Sequence, residues 1–550
     1  MFTKFYTISI SIAIYLISFS SAYSYSPPTA IPSPGLWGTT NPIDTPAPDP
    51  QNRCPSWPSN SNVDCYYIDA SHSNSTDSSN PLGYPDKPRI SIPEIAYNAG
   101  SYVSINNSSY TGGSQIITTF NGTASSPVWV VGKNMTAIRE WIVKGSYVIF
   151  DNIDFSTNYG ILQLRPHNGS NIHHFSLRNS NLEGSGTYGG NGSAISIYGD
   201  STNRVTDIII YNNTIQSFGD NNYISENDFH GILPTAYSNN IWILNNNIFN
   251  NGGDSIQVGS ATLNDVARPH HIFIANNTLH DDRENAIDIK RSQNVIVYNN
   301  TCYNYSSRDS SAGEGIVVHD SPDNVWVINN IVHNSTIGIT STGSTNTFFI
   351  GNVVYSTDTA FHIRGATTGG IFNNSLSLYK RGITVSSNNI SILNNILSNR
   401  EDVNEADLSF GDTLDASTSS VDYTLFSSSY SPTIQVGSTQ MSIGDFKASF
   451  GKCNILCEEV ANIGFLTSQS NDFRLSSTSI AIDKGFLISP LSLFSQQYAL
   501  DLNMDYMGNH RPSGSTLDIG AFEYPIDSPV GSIPPTPQTI APVIKSIIQQ

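Results

Sequence analysis

The stretch "VWVINNIVHNSTIGITSTGSTNTFFIGNVVY", residues 325–355, holds the pattern that decides the fold. One run of alternating apolar residues ends at Asn330, and a second ends at Asn352. The shorter run "IGITSTG" lies between them, and Asn, Gly and Ser separate the three runs. Alternation with a period of two predicts half-buried β-strands, and no run between them has the apolar spacing of a helix.

The same pattern recurs along the chain as "IIIYNNTI", "IWILNNNIF", "IFIANNTL", "VIVYNNTC" and "ISILNNIL". From Asn330 the last asparagine of each run falls on Asn352, Asn374 and Asn395, an almost constant step. A fixed period of about 22 residues indicates a solenoid in which each repeat is one coil. We therefore predict an all-β fold, a right-handed single-stranded parallel β-helix, whose hand follows from the rule for parallel crossovers. The Asn amides are expected to hydrogen-bond along the stack.

The regions outside the coils differ in composition. Residues 1–22 combine Lys4, an apolar run and then small residues, which predicts a cleaved signal peptide and a secreted, extracellular or cell-surface protein. Residues 23–64 form a leader rich in Pro, Ser and Asn, for which we expect little order. Residues 65–525 are predicted to form the β-helix domain, with an N-terminal cap and looser C-terminal coils, and residues 526–550 a flexible Pro-rich tail.

The cysteines fit an exported protein. Cys54 and Cys65 are close in sequence, which predicts one small disulfide. Cys453 and Cys457 predict a second, and Cys302 is left as a buried thiol inside the repeats. A glycoprotein is expected if the host glycosylates, at Asn-x-Ser/Thr sequences that include Asn74, Asn107, Asn121, Asn134, Asn276 and Asn334.

The chain is acidic, with a formal net charge of -19. Nucleic acids and anionic membranes bind cationic surfaces, so neither is expected as the main partner. No segment after the signal peptide has the composition of a membrane span. A polyanionic substrate would need local cations or bound metal ions to neutralise it.

Residues 85 to 525 resemble the pectate-lyase-like superfamily of right-handed parallel β-helix proteins, and the coil pattern carries that resemblance. The superfamily includes polysaccharide lyases, glycosidases, epimerases and non-catalytic adhesins, so the resemblance implies a fold more than one activity. The stretch "DYMGNHRPSGSTLDIGAFEYP" is similar to the ending of secreted β-helix proteins of the choice-of-anchor Q type. Its motif residues, expected to act as a structural cap, are Asp505, Gly508, Arg511, Pro512, Asp518, Ile519, Gly520 and Glu523.

Two enzyme types within the superfamily differ in how well they match. The Asn-Thr-Asp, Gly-His-Gly and Arg-Ile-Lys motifs of polygalacturonases do not occur in the sequence. The stretch "ENAIDIKRSQN" is similar to the alginate-lyase and chondroitinase B type, in which an acid-bearing strand start leads into Lys and then Ser-x-x-Asn. That type also has two acids two residues apart, which are missing here, and an Arg-His on the next coil, which Val318-His319 replaces.

The strand register predicts a polar patch on successive coils. Alignment of "DSIQVG", "NAIDIKRS" and "EGIVVHD" on their inward Ile places Gln257, Asp288 and Val317 in one outward column, meaning positions in register on neighbouring coils. Two residues later, Lys290 and His319 are expected side by side and facing solvent, because coils stack about 4.8 Å apart.

Acidic residues lie at the starts of these strands and within them. Stacked carboxylates repel one another unless a cation lies among them, and oxygen ligands of this kind suit calcium. We therefore predict a Ca²⁺ site whose candidate ligands are Asp254, Glu284, Asp288 and Glu314. Turn formation and structural calcium binding without catalysis are the alternative roles.

The coil lengths point to the same face. The runs before Asn330 end at Asn213, Asn247, Asn277 and Asn300. Three of the four steps from Asn213 to Asn330 exceed the repeat that follows Asn330 by roughly 8 to 12 residues. The extra residues are in "SFGDNNYISENDFHG", "GSATLNDVARPHH" and "YNYSSRDSSAGEG", next to the strands of the patch. Insertions clustered at one face usually build the walls of a site.

The patch fits β-elimination on a uronic-acid glycan. A base must remove the proton beside the uronate carboxylate, and a cation must neutralise that carboxylate. Lys290 is the candidate base, with its pKa lowered by nearby calcium, and His319 is the alternative because imidazole titrates near neutrality. Arg291, His362 and Arg364 are candidates for binding substrate carboxylates. The leading hypothesis is a calcium-assisted polysaccharide lyase, expected as a monomer, whose partner is an acidic polysaccharide.

Two other functions are open at this stage. The same fold could hydrolyse glycosides with two carboxylates, for which Asp254 with Asp282 or Asp288 are candidates. A non-catalytic glycan-binding or adhesion protein needs no such site, and the charged patch would then be solvated surface. The adjacent His270 and His271 are poorly spaced in sequence for two ligands of one metal ion.

Overall fold

The computed structural model describes residues 28–525 apart from short gaps. The residues outside its description are 1–27, 56, 58–63, 114, 136, 157–161, 167–168, 170, 188, 223–227, 310, 366, 428–429, 468–470 and 526–550. The predicted signal peptide, part of the leader and the Pro-rich tail therefore lie outside the described residues. Among the described helices, none has the length and apolar character needed to cross a membrane.

The described strands form three parallel stacks that wind as a right-handed β-helix, as the sequence predicts. The first stack contains β1 (Cys65–Ile68), β3 (Tyr102–Asn106), β6 (Val128–Lys133), β8 (Trp141–Asp151), β11 (Ile172–Arg178), β14 (Val205–Tyr211), β17 (Ser238–Leu244), β20 (His270–Ala275), β23 (Gln293–Tyr298), β26 (Asp323–Ile328), β28 (Thr345–Ile350), β30 (Gly369–Phe372), β32 (Ile390–Leu393) and β35 (Ser420–Asp422).

The second stack follows the asparagine turn of each coil. It contains β4 (Ser109–Tyr110), β7 (Ala137–Ile138), β9 (Phe155–Ser156), β12 (Asn181–Glu183), β15 (Thr214–Gln216), β18 (Asn247–Phe249), β21 (Thr278–His280), β24 (Thr301–Tyr303), β33 (Ile396–Ser398), β36 (Thr424–Ser427), β39 (Cys457–Glu459) and the first halves of the long strands β27 (Ile331–Thr342), β29 (Val353–Arg364) and β31 (Ser375–Ser386).

The third stack completes each coil. It contains β2 (Ala96–Tyr97), β5 (Ile116–Asn121), the first half of β8, β10 (Leu162–Leu164), β13 (Gly192–Ile197), β16 (Phe229–Pro234), β19 (Ile256–Val258), β22 (Ile287–Lys290), β25 (Glu314–His319), the second halves of β27, β29 and β31, β34 (Leu408–Phe410) and β37 (Ile434–Val436). Outside the stacks are β38 (Thr439–Met441), β40 (Phe465–Thr467), β41 (Asp472–Leu475), α1 (Pro50–Arg53), α2 (Thr413–Thr418), α3 (Ile443–Phe450) and α4 (Ser489–Tyr498).

An apolar core fills the inside of the coils. Inward residues of the third stack such as Ile256, Ile287 and Ile316 are 0% exposed. They lie opposite one another in the parallel register, so like side chains stack coil on coil. Full burial of one such side chain is favourable by about 1.5–3 kcal/mol. The repeat therefore builds a continuous core from residues that are far apart in sequence.

A ladder of asparagines runs along the turn between the first and second stacks. Asn300 Oδ1 accepts the backbone N–H of Asn277 at 3.0 Å, and Asn300 Nδ2 donates to Ile274 O at 3.0 Å. The same pattern continues from Asn330 to Asn395 in steps of 22, 22 and 21 residues. The predicted coil length and the predicted role of the Asn amides are confirmed.

One predicted member of this ladder was wrong by one residue. Asn246, and not Asn247, accepts the backbone N–H of Asn213 at 3.0 Å and donates its own N–H to Asn277 Oδ1 at 2.9 Å. Asn247 begins β18 instead. The run of three asparagines makes the sequence ambiguous, and only the turn geometry selects one. The corrected steps are 33 and 31 residues, so these coils are still long.

The outer face of the first stack is apolar as well, and the ends of the chain cover it. Its outward residues include Trp242, Phe273 and Trp326. Residues near the N-terminus, such as Ile31, and Phe494 in α4 belong to the same apolar cluster. A sheet that is apolar on both faces needs cover on both.

Residues 28–54 have more order than their composition predicts. Trp242 Nε1 donates to Pro32 O at 2.7 Å, and Arg178 Nη1 donates to Ile43 O at 2.9 Å. The order comes from tertiary contacts. Apolar side chains of this segment pack on the outer face of the first stack, and its backbone carbonyl groups accept hydrogen bonds from side chains there. Composition alone carries no information about that face.

Both predicted disulfides are present. Cys54 is bonded to Cys65, which links the N-terminal segment to β1. Cys453 is bonded to Cys457. Cys302 is a buried free thiol, as predicted.

The C-terminal motif residues form a polar network against the solenoid. The Asp505 carboxylate accepts the backbone N–H groups of Asn509 at 2.8 Å and Glu523 at 3.0 Å. Arg511 Nη1 donates to Asn329 Oδ1 at 3.1 Å, in the turn after β26. These contacts tie the end of the domain to the coils and fit the expected capping role.

Candidate active site

The third stack carries the predicted polar patch. In the parallel pairing of β22 with β25, Lys290 lies opposite His319. In the pairing of β19 with β22, Gln257 lies opposite Asp288. The predicted register is confirmed, and it places four polar side chains together on three successive coils.

Asp288 joins these side chains into one cluster, which we name the Asp288 cluster. Its Oδ2 is 2.8 Å from Lys290 Nζ, and its Oδ1 is 2.9 Å from His319 Nε2. Lys290 Nζ also donates to Gln257 Oε1 at 2.9 Å. The Asp288 side chain is 5% exposed, whereas those of Lys290 and His319 are 21% and 31% exposed. A buried carboxylate thus anchors two basic groups that reach the surface.

The neighbours of Lys290 keep it protonated. Burial lowers its pKa, but the Asp288 and Asp254 carboxylates outweigh burial and raise the pKa above its ordinary value. This direction is opposite to the lowered pKa expected for a lysine base. The reason is that the acids expected to bind a metal ion lie close to the amine itself.

His319 is oriented by Asp288. Burial lowers the pKa of His319, but the hydrogen bond to Asp288 and the charges of Asp288 and Asp320 raise it above its ordinary value. Burial raises the pKa of Asp288, yet its two basic neighbours bring it below its ordinary value. When Nε2 donates to the Asp288 carboxylate, the Nδ1 atom of the neutral ring is the proton acceptor. Asp320 Oδ2 lies 3.5 Å from that Nδ1 atom.

Asp254 and His230 make a second buried contact beside the cluster. Asp254 Oδ2 lies 3.2 Å from His230 Nδ1, and that nitrogen accepts the backbone N–H of Asp254 at 3.1 Å. Asp254 Oδ1 accepts the backbone N–H of Asn285 at 3.1 Å. Within the described part of the chain, Asp254 Oδ2 has no hydrogen-bond partner. A buried carboxylate oxygen without a hydrogen-bond partner favours a cation beside it.

The other predicted calcium ligands do not converge on Asp254. Glu284 Oε1 is 2.6 Å from Arg283 Nη1, whose side chain is 0% exposed. Burial raises the pKa of Glu314 at the start of β25. Asp288 is paired with its two basic neighbours. No three His, Cys, Asp or Glu side chains of the described residues are grouped so that they could hold a metal ion. The four residues as placed here do not fit one calcium site.

Arg291 holds one of the insertions. Its Nη1 donates to Leu263 O at 2.9 Å, in the insertion between β19 and β20. Its φ of 28° places it in the turn that follows β22. Arg291 therefore holds one wall of the patch in place through its hydrogen bond to the Leu263 backbone.

His362 and Arg364 lie farther along the same face. Register places Arg364 in the His319 column two coils on, where its Nε donates to Thr342 Oγ1 at 2.9 Å. His362 lies in the Asp288 column, three coils on. It lines a cleft of about 310 Å³ whose other walls include Arg381, Thr384, Glu405, Ser409 and Gln435. The structure does not bring either residue into contact with the Asp288 cluster.

Asp282 lies inside the turn and not on the face. Its Oδ1 accepts the backbone N–H of Asn251 at 2.7 Å, and its Oδ2 contacts the hydroxyl groups of Ser255 and Tyr305. Burial raises the pKa of Asp282 to about 7. A carboxyl group enclosed in this way does not reach a glycosidic bond, so Asp282 does not pair with Asp254 for hydrolysis.

The insertions contact one another beside the patch. Arg308 Nη1 donates to Asn221 O at 2.6 Å, which joins the insertion before β16 to the one before β25. Asn221 Nδ2 also donates to Asp281 O at 3.0 Å. The predicted clustering of insertions around these strands is therefore found in the described residues.

Three residues of the site had no role predicted from the sequence. Gln257 accepts a hydrogen bond from Lys290, His230 contacts Asp254, and Asp320 faces His319. Gln257 was already aligned beside Asp288, so its column was a usable signal. His230 lies one coil before Asp254 in the same column, so the strand register was a usable signal for it as well. Asp320 follows its strand, and no sequence pattern marks it.

The family comparison covers part of the chain. Residues 256–431 match a family model described as "Periplasmic copper-binding protein (NosD)". This region begins at β19 and contains all four residues of the Asp288 cluster. No curated protein matches the sequence.

Several solved structures are similar to this chain at low identity. The pectate lyase Pel9A is 14% identical, with a TM-score of 0.36 over 84% of this chain and 96% of its own. A GH136 lacto-N-biosidase from Eubacterium ramulus is 13% identical, with a TM-score of 0.41 over 68% of each chain. A mannuronic-acid-specific family 6 polysaccharide lyase from human gut microbiota is 13% identical, with a TM-score of 0.35 over 60% of this chain and 81% of its own. These likenesses concern the fold.

Proposed function

We propose that this protein is a secreted carbohydrate-active β-helix protein, and specifically a polysaccharide lyase that cleaves a uronic-acid-containing glycan by β-elimination. The observation that carries the proposal is the Asp288 carboxylate, which binds Lys290 on one side and His319 on the other. Elimination needs a proton acceptor and a fixed positive charge close together, and the cluster supplies both on the walled face of the third stack.

In the proposed step, the neutral imidazole of His319 removes the proton on the carbon beside the uronate carboxyl group. The electron pair of that C–H bond forms a C=C bond, and the bond from the next carbon to the glycosidic oxygen breaks. The leaving oxygen takes a proton from solvent, and the other product is an unsaturated uronate. Asp288 keeps Nε2 protonated, so Nδ1 is the atom that accepts the proton.

Lys290 neutralises the substrate carboxylate in this proposal. Its neighbours raise its pKa, and its side chain is 21% exposed. A fixed positive charge beside the uronate stabilises the negative charge that develops in the transition state. Lys290 is therefore assigned as the cation and His319 as the base, which reverses the first expectation for the two residues.

Calcium assistance is a separate part of the proposal. Among the described residues, Asp254 Oδ2 lacks a hydrogen-bond partner and so favours a cation. Calcium, however, needs several oxygen ligands. The residues as placed do not form such a set, so no step of the proposed reaction depends on calcium. Assays with Ca²⁺ and with a chelator test the requirement directly.

Secretion and an acidic polysaccharide partner belong to the same proposal, with the protein acting as a monomer. The protein has two disulfides, and disulfides form and persist in oxidising compartments outside the cytosol. The asparagines of the Asn-x-Ser/Thr sequences named above are all exposed. Their modification by an exporting host is compatible with the fold.

The test is absorbance of unsaturated uronate during incubation of the full chain with pectate, alginate and glycosaminoglycans. We expect a rise with one polymer and a loss of about 10²-fold or more in His319→Gln, since general bases contribute about 10²–10⁴-fold. The exposed His510 is the matched control, and His510→Gln should keep the wild-type rate.

Two other outcomes overturn the lyase proposal. New reducing ends without absorbance would indicate a glycoside hydrolase on the same fold. No product from any polymer, together with binding to one of them, would indicate a non-catalytic glycan-binding or adhesion protein. In that case the Asp288 cluster stabilises the coil and does no chemistry.

A further inference from the structure

Two pairs of adjacent histidines bring their ring nitrogens together on the first stack. The Nδ1 atoms of His173 and His174 in β11 are 2.9 Å apart, and those of His270 and His271 in β20 are 2.7 Å apart. The pairs occupy the same two columns, with β14 and β17 between them. Three coil steps separate the pairs by about 14 Å, so the two are independent of each other.

The backbone explains why adjacent side chains meet. Successive residues of a strand normally point to opposite faces. His174 and His271 each have a φ of 56°, in the left-handed region, which turns the side chain to the side of its neighbour. Asp207 and Asn240 lie between them in the same column, with φ values of 59° and 54°. Asp and Asn are the usual residues for this conformation, so the backbone does not by itself require histidine there.

The four imidazoles are nitrogen donors of the kind that bind transition-metal ions. Each is half-buried, and burial lowers the pKa of all four. Neutral imidazole is the ligand form of histidine, and it is a ligand for divalent transition metals. In the absence of a metal ion, a hydrogen bond between the two rings of a pair satisfies one nitrogen of each ring.

The two pairs differ in the charges around them. Asp207 Oδ2 lies 3.9 Å from His174 Nδ1. On the coil that follows the second pair, the residue in the same column is Asn294, which carries no charge. Burial, then its histidine neighbour and then Arg204 lower the pKa of His270. A cation is therefore attracted at the first pair and repelled at the second.

We propose that each histidine pair binds one divalent transition-metal ion through its two Nδ1 atoms and that the His173–His174 pair binds it more tightly. At metal–nitrogen distances of about 2.0–2.1 Å, these nitrogen separations correspond to an angle of roughly 80–90° at the metal. That angle suits tetragonal ions such as Cu²⁺ and Ni²⁺ better than tetrahedral Zn²⁺. Water completes the coordination.

These sites are distinct from the proposed lyase site. The pairs lie on the first stack, and the Asp288 cluster lies on the third. The sequence argued against His270 and His271 as ligands of one metal ion because the two residues are adjacent. The left-handed residue in each pair removes that objection.

Calorimetric titration of the full chain with Cu²⁺, in the presence of glycine as a competing ligand, tests the proposal. We expect two ions bound per chain with different affinities. His174→Asn should remove the tighter site and His271→Asn the weaker one, and both variants should fold because Asn already occupies this column at Asn240. Asp207→Asn should weaken the tighter site about tenfold.

Two further measurements assign the bound Cu²⁺ to the histidine pairs. Electron paramagnetic resonance of bound Cu²⁺ should report two equatorial imidazole nitrogens per ion. Cu²⁺ should also quench Trp37, whose ring lies 5.8 Å from that of His174. That quenching should be lost in His174→Asn and kept in His271→Asn. The exposed-histidine variant His510→Gln should bind as the wild type does.

The proposal is overturned by either of two results. One is no binding by the wild type above the glycine competitor. The other is unchanged binding in a variant with both His174→Asn and His271→Asn, which would place the metal on scattered surface histidines. Zn²⁺ binding equal to or tighter than Cu²⁺ binding at these sites would contradict the right-angled geometry.

Discussion

Asp288 in β22 accepts a hydrogen bond from His319 in β25 at 2.9 Å, across two neighbouring coils. The two residues are 31 positions apart, so the stacking of coils alone brings them together. The carboxylate is nearly buried and stays ionised because two basic groups face it. The contact fixes both the tautomer and the position of the imidazole. A solvated surface histidine has no such hydrogen bond, so neither is fixed.

The pH dependence of the proposed reaction follows from this contact. His319 must be neutral to act as the base, and its pKa is raised above its ordinary value. We expect the elimination rate to rise with pH through that pKa. In Asp288→Asn the main cause of the raised pKa is gone, so the midpoint of the profile should move to lower pH. A midpoint that does not move in a pH–rate measurement would exclude His319 as the base.

Lys290 should act through its charge and not as a base. Lys290→Met is expected to lower kcat/KM on a uronate polymer by about 10²-fold, because one preorganised charge contributes on that order. Lys290→Arg keeps the charge and should retain part of the activity. The profile of rate against pH should keep its shape in Lys290→Arg. Loss of the ascending limb in that variant would show instead that Lys290 is the base.

The asparagine ladder should determine the stability of the coil. Asn300→Ala removes a side chain that donates to Ile274 O and accepts from Asn277, and it leaves buried backbone groups without partners. Each such group costs about 1–3 kcal/mol, so the loss of two partners should lower the free energy of unfolding by about 2–6 kcal/mol. Urea unfolding measures this change.

A matched asparagine provides the control for the ladder. Asn388 is exposed and lies outside the ladder. Asn388→Ala should change the free energy of unfolding by no more than about 0.5 kcal/mol. Equal losses in the two variants would mean that the ladder has no special part in stability.

The C-terminal cap should loosen as the pH rises. Burial, and then the charge of Asp518, raise the pKa of Glu523 to about 8. A carboxyl group with a raised folded pKa stabilises the fold fully below its unfolded pKa of about 4.3, and this stability is lost as pH rises through the folded value. Hydrogen exchange of residues 505–524 should therefore speed up, relative to its intrinsic rate, between about pH 5 and 8.

Glu523→Gln separates this effect from a general response to pH. Gln stays neutral, so the cap should keep its protection across the same range. Glu459 is exposed, and Glu459→Gln should leave the trend of the wild type unchanged. Persistence of the trend in Glu523→Gln would assign it to other groups such as Asp518, whose pKa burial raises to about 6.

The N-terminal segment should depend on Trp242. Trp242→Ala removes the hydrogen bond to Pro32 O and an apolar side chain from the outer face of the first stack. We expect proteases to cut residues 28–54 faster in this variant, while the coils resist as before. Limited proteolysis with mass spectrometry measures both. Unchanged cleavage would mean that the other contacts of the segment suffice to hold it.

The sequence by itself determined the fold, the coil length and the strand register at the patch. These depend on repeated local rules, because alternation sets which residues point inward and each coil stacks in register on the next. Lys290 and His319 could therefore be placed side by side without a structure. The asparagine pattern failed where it was locally ambiguous, as in the run of asparagines at Asn246.

The tertiary structure alone decided which charged groups pair and which side chains meet. The sequence left the partner of each acid open, and the fold pairs Asp288 with two bases and encloses Asp282. A single left-handed residue turns His271 towards His270, against the alternation of an ordinary strand. Pair distances and backbone torsions depend on contacts between distant coils, and a linear pattern does not record them.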